Sequence, residues 1–150
     1  MRASARHHEV IAVPADEAWA AVTRPELLDR FFPGIERCEV VGDVRTVTLR
    51  TGLSLEEHIV LNDALQRRFQ YRIAGGFFRE HLATIDVLPL DDERCLVSYA
   101  SDAEPATMAV ILGGAMRAAL DSLKQQLESG EGPLVDALSG PAATASAAAS

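Results

Sequence analysis

The chain has 150 residues, 48% of them apolar and 24% charged, with a formal net charge of −8. That length holds one domain with a real core and leaves too little for a second. The acidic balance argues against nucleic-acid binding, which calls for a basic stripe, and against attraction to an anionic membrane surface. No run reads as apolar and long enough to span a bilayer.

The opening MRASARHHEV has arginines but lacks the apolar segment of a secretory signal. Residues 7–13 predict a short strand ended by Pro14, in which the adjacent His7 and His8 point to opposite faces. ADEAWAAV then predicts a helix, with Asp16 at its start and Trp19 and Val22 on one face. Pro25 breaks it, and ELLDRFF predicts a second short helix stopped by Pro33 and Gly34. With a single proline between them, the two helices are expected to form a bent pair.

Strands follow at residues 35–41, 44–51, 54–61, 67–74, 78–88 and 94–101, separated by GD, Gly52, ND, GG and PLDDE. Turn residues at such spacing mark an antiparallel meander. Cys38 and Cys95 sit inside strands without CxxC or Cys/His spacing and read as buried free thiols of a cytoplasmic protein. Residues 105–129 predict one long helix, with Pro105 in its first turn and an apolar stripe through Leu112, Met116, Ala119, Leu123 and Leu127. Lys124, Gln125, Gln126 and Glu128 crowd its other side, and Gly130 caps it. Gly113 and Gly114 each cost this helix about 1 kcal/mol against alanine. They mark either a weak spot or the close approach of a neighbour. Met108, Leu112 and Met116 flank them and suit a deformable pocket wall. From Gly130 the chain is rich in Gly, Pro, Ala and Ser, so a domain at 1–129 and a disordered tail at 130–150, with at most a turn around 134–138, are expected.

The fold class is therefore α+β: a curved antiparallel sheet of about six to seven strands around a long C-terminal helix, with two short helices after the first strand. Such a sheet rarely packs solid against one helix, and the space left is the default ligand site. Parity assigns its lining. Phe69, Tyr71 and Ile73 alternate with Arg68, Gln70 and Arg72; Val47 and Leu49 share one side; His81 shares a side with Ala83, Ile85 and Val87. Tyr71 should find a partner for its hydroxyl inside, and pairing of neighbouring strands brings His81 towards Tyr71 or His58. In LSLEEHIVLND, simple alternation turns Leu55, Glu57, Ile59 and Leu61 inward.

The order of elements, together with VPADEAWAAVTRPELLDRFFPGIERCEV, the turn at Gly52 and Leu53, EEHIVLND, FQYRIAGG and the last helix, resembles the START-like, or Bet v 1-like (SRPBCC), superfamily with its helix-grip fold. More narrowly it resembles the bacterial polyketide cyclase/dehydratase-like lipid-binding proteins. GDVRTVTLRTGL, EEHIVLND and YRIAGGFFRE are also similar to the matching stretch of plant abscisic-acid receptors. That likeness implies a gate at Thr51, Gly52, Leu53 and Ser54, and a latch at Phe77, Phe78 and Arg79. The departures are the missing Pro-Ala after Gly52-Leu53, Phe78 where the receptors carry His, and no basic match for their ligand lysine at the corresponding position near Phe32. A gated apolar pocket is implied; the hormone and a phosphatase partner are not. The receptors' cavity glutamate aligns with Glu56, which turns Glu56, His58 and Val60 inward, and a bulge near Glu57 would reconcile this with simple alternation.

The expected ligand-binding set is Val47, Leu49, Leu53, Glu56, His58, Phe69, Tyr71, Ile73, Phe78, Arg79, His81, Ala83, Met108, Leu112 and Met116. The expected function is a carrier or sensor, monomeric or homodimeric, of a small hydrophobic ligand bearing a carboxyl, hydroxyl or ketone. The alternative is a polyketide cyclase or dehydratase drawing its acid and base from Glu56, His58 and His81. A protein-interaction module related to quinone-delivery or chaperone-cofactor proteins is a third class. No nucleophile motif, phosphate loop or metal-ligand spacing occurs, so neither cofactor nor metal is expected.

Overall fold

A computed structural model of the protein describes residues 1–141. Strand β1 (Ala3–Ile11) leads into helix α1 (Ala15–Val22) and a 3₁₀ helix (Pro25–Arg30). Strands β2 (Ile35–Val41), β3 (Val44–Leu49), β4 (Ser54–Asp63), β5 (Arg68–Ala74), β6 (Glu80–Pro89) and β7 (Cys95–Glu104) follow. Helix α2 (Ala106–Ser129) and a short α3 (Pro133–Ser139) complete the described chain. The strands form one seven-stranded antiparallel sheet in the order β1-β7-β6-β5-β4-β3-β2. This is the helix-grip arrangement expected from the sequence.

Period-two patterning produces the sheet. Along β6 and β7 the buried positions alternate from His81 to Val87 and from Cys95 to Ala103. The inner face meets α2 through Ala109, Gly113, Met116, Leu120, Leu123 and Leu127. Small residues in the first half of that helix and leucines in the second fit a surface that β1 approaches closely at one end. At Gly113 an added Cβ would lie 3.1 Å from the Ala5 Cβ on β1, so this glycine permits a close approach; at Gly114 it would meet nothing within 4 Å. Gly130 ends the helix in the left-handed conformation that an ordinary residue resists.

Two expectations need correction. Residues 130–139 are not all tail, because α3 packs on the domain with Leu134 wholly buried. Gln126 holds it there: its Nε2 donates to the Arg30 carbonyl at 2.9 Å, and its Oε1 accepts from the Leu134 amide at 2.8 Å. Gly132, at φ 126°, sits where any side chain would strike Gln126. A seven-residue helix flanked by Gly, Pro and Ala carries too little periodicity to be read from sequence. The rest of the expected tail, residues 142–150, lies outside the described residues. Secondly, α2 is long and apolar enough by composition to cross a membrane, its best 18-residue window having a mean hydropathy of 1.3. A helix that buries one face on a sheet and is rich in Ala, Gly and Met passes the same test, so this is weak support for a span.

Candidate functional site

Between the first half of α2 and strands β3 to β5 lies a cavity of about 270 Å³. Met108, Ile111, Leu112 and Ala115 on α2 roof it; Val47, Leu49, Leu55, Tyr71 and Ile73 on the sheet floor it; Leu28, Phe32 and Ile35 close one side. Leu53 and Phe77 stand at its rim, 46% and 67% exposed, with Phe78 behind them. The volume lies just below the range for small-molecule pockets, roughly 300–1,000 Å³.

One carboxyl group enters this apolar space. Glu57 lines the cavity and is 4% exposed. Its Oε1 accepts from Arg45 Nε at 2.6 Å, across the directly paired positions of β3 and β4. Arg45, 2% exposed, also donates from Nη1 to the Pro25 carbonyl at 3.1 Å, and its guanidinium lies 4.8 Å from the Tyr71 ring centroid. Its Nη2 is buried with no partner among the described residues. Burial pushes the Glu57 carboxyl above its ordinary range, against the pull of Arg45. Behind them the Tyr71 and Tyr99 hydroxyls hydrogen-bond to each other in the core, and burial raises both.

His81 occupies a separate niche. The β5–β6 ladder runs from Arg68 to Tyr71 opposite Asp86 to Ala83; beyond it the strands part. There the Ile73 amide donates to His81 Nδ1 at 2.9 Å instead of to a strand carbonyl. With Nδ1 accepting, Nε2 carries the proton and donates to Ser101 Oγ at 2.9 Å. Burial lowers the His81 pKa to about 4, so the ring is neutral with both nitrogens engaged. It packs edge-on against Phe78 and lies 5.8 Å, centroid to centroid, from Tyr71.

Several expected residues therefore fall into place around one space, and others do not. Val47, Leu49, Leu53, Tyr71, Ile73, Phe78, Met108 and Leu112 line the cavity. Phe69, Ala83 and Met116 are buried in the solid core and do not line it. Glu56 and His58 require the main correction. They point outward, 56% and 47% exposed, and hydrogen-bond to each other at 2.7 Å. The alternation of LSLEEHIVLND governs; the β4 bulge lies between Ile59 and Leu61, too late to turn Glu56 inward. Arg79, 76% exposed and paired with Glu104 at 3.1 Å, lines instead an outer cleft of about 580 Å³ at the parting of β5 and β6, along with His58, Arg72 and His81. Among the described residues, no Glu–His pair is assembled in the apolar cavity.

Arg45, Tyr99 and Ser101 were missed. The signal for Arg45 was present: it shares parity with Val47 and Leu49, and the turn at Gly52 and Leu53 sets it opposite Glu57. Both cysteines are free, and burial pushes the Cys38 thiol up to about 11, which keeps it protonated and unreactive. No cluster of metal-ligating side chains occurs among the described residues.

This architecture recurs among solved structures. XoxI from Bacillus cereus superposes with a TM-score of 0.79 at 19% identity, over 86% of this chain and 99% of its own. A START superfamily protein from Mycobacterium smegmatis gives 0.73 at 13% identity, over 85% and 99%. Norcoclaurine synthase from Thalictrum flavum, in complex with dopamine and hydroxybenzaldehyde, gives 0.72 at 20% identity, over 87% and 89%. No curated protein matches the sequence. Residues 2–128 match the family described as polyketide cyclase / dehydrase and lipid transport, and the chain belongs to that family.

Proposed function

We propose that the protein binds one small, mostly apolar molecule between sheet and α2, as a carrier or sensor. The apolar cavity with its single carboxyl carries this reading. A solid core would fill that volume with side chains, since interiors pack as densely as organic crystals. The family's description points the same way, and a protein of like fold holds two small aromatic compounds. Leu53 and the pair Phe77–Phe78 stand at the mouth, where a gate and latch would act. The free thiols Cys38 and Cys95 support a reducing, cytoplasmic setting. Native mass spectrometry of the purified chain tests the reading. A co-purifying small molecule, lost on Leu112→Trp substitution, is expected. A bare protein that also fails to take up any small apolar probe would overturn it.

An enzymatic reading has one observation in its favour. Glu57 is a carboxyl in an apolar cavity with its pKa pushed upward, the condition that suits a general acid or base. In that reading Glu57 alone moves the proton in a cyclisation or dehydration and Arg45 positions it. Turnover abolished by Glu57→Gln with binding retained would support it.

A further inference from the structure

The polar chemistry of the cavity narrows its ligand. Among the described residues, no Lys, Arg or His lines it. The one lining carboxyl, Glu57, commits Oε1 to Arg45 and has no protein partner assigned to Oε2. The other lining polar side chain, the Tyr71 hydroxyl, shares one hydrogen bond with Tyr99. Arg45 itself does not line the space, so its unpartnered Nη2 offers a ligand nothing there. The cavity thus presents one carboxyl acceptor and, among the described residues, no cationic side chain.

We infer, resting on the ligand-binding reading above, that the bound molecule carries a hydrogen-bond donor, a hydroxyl or amine, that meets Glu57, and that it is not a carboxylate. A ligand carboxylate would face the Glu57 carboxylate in a medium that screens poorly, where the neighbouring cation, Arg45, is already paired with Glu57. A ketone would bring a second acceptor to Glu57 and leave its Oε2 without a donor. An alcohol keeps its bond, now to an ionised partner, the stronger kind. The apolar remainder of the molecule fills the space under Leu112 and Met108.

The test is a near-isosteric series on the full-length protein: octan-2-ol, octan-2-one and octanoate, titrated calorimetrically at pH 7.5. The alcohol is expected to bind about tenfold more tightly than the ketone, the gain of one hydrogen bond to a charged acceptor. Octanoate is expected to bind more weakly than either. In Glu57→Gln the side-chain amide supplies a donor, and the alcohol-to-ketone ratio should fall to within about twofold. Circular dichroism shows whether that variant folds; the wild-type series decides without it. Equal or tighter binding of the ketone or of octanoate overturns the inference and leaves the ligand-binding reading standing. Failure of all three compounds to bind counts against both.

Discussion

Glu56 and Glu57 are adjacent on β4 and share a side-chain chemistry, yet they live in different solvents. Glu56 faces water and hydrogen-bonds to His58, two residues along the same face. Glu57 faces the interior and bonds to Arg45 at 2.6 Å. The two contacts have nearly the same length and opposite consequences. Outside, water solvates either partner when the other leaves, so the contact is worth little. Inside, each charge has surrendered its hydration, so each depends on the other. A hydrogen-bond length measures neither stability nor function; burial does.

The largest effect should come from breaking the inner pair on one side. Arg45→Met leaves the Glu57 carboxyl buried without its counter-charge and should cost about 3–5 kcal/mol. For a chain of this size that lowers the melting temperature on the order of 10 °C. Glu56→Gln and His58→Ala should each stay within about 0.5 kcal/mol of wild type. Urea unfolding of the three variants measures the contrast directly. Replacing both inner partners, Arg45→Met with Glu57→Leu, should restore most of the loss, because the penalty lies in the widowed charge. A double variant as unstable as Arg45→Met would show that packing, and not charge, accounts for the cost.

The second effect belongs to His81, buried where β5 and β6 part. His81 is buried and neutral, its folded pKa of about 4 lying below the ordinary 6.5; the Asp102 charge pulls the other way and loses to burial. Between those values the unfolded chain takes up a proton that the folded one refuses. Stability from this group is therefore complete above pH 6.5 and is lost as pH falls towards 4, on the order of 3 kcal/mol in total. His81→Gln keeps an amide able to accept from Ile73 or donate to Ser101 but does not titrate, so its stability curve should be flatter across that window. Proton NMR of the His81 ring should give a midpoint near 4. A midpoint near 6.5 would mean that the niche at the parting of β5 and β6 is wet.

Much of this was legible from the chain. Turn residues fixed the strand count, and strict alternation in FQYRI placed Phe69, Tyr71 and Ile73 inside. Alternation also placed Glu57 inside, while the likeness to abscisic-acid receptors favoured Glu56. In a period-two element a shift of one residue reverses every side chain, so a distant alignment uncertain by one position says nothing about facing. Arg45 escaped notice because a charged residue on an apolar parity reads as an exception until its partner is known, and that partner sits on the next strand. The Ile73–His81 bond was beyond sequence altogether, since it exists only where a ladder stops. Leu134 was hidden for another reason: its burial depends on Gln126, a polar residue assigned to the solvated side of α2.

The smallest effect tests the same contrast between faces in the helix. Gly113 turns to the sheet and Gly114 to solvent. Either glycine lowers helix propensity by about 1 kcal/mol relative to alanine. Gly114→Ala meets nothing and should recover that amount, raising the melting temperature by about 2–4 °C. Gly113→Ala recovers the same propensity but sets its Cβ 3.1 Å from that of Ala5, closer than ordinary contact, so β1 must shift to admit it. The gain and the strain should then roughly cancel. Gly113→Val, larger still and β-branched, should be destabilising by about 1–3 kcal/mol. Thermal melts of the three variants rank them. If Gly113→Ala stabilises as much as Gly114→Ala, then β1 yields freely, and the close approach at Gly113 is no constraint on how α2 sits over the cavity.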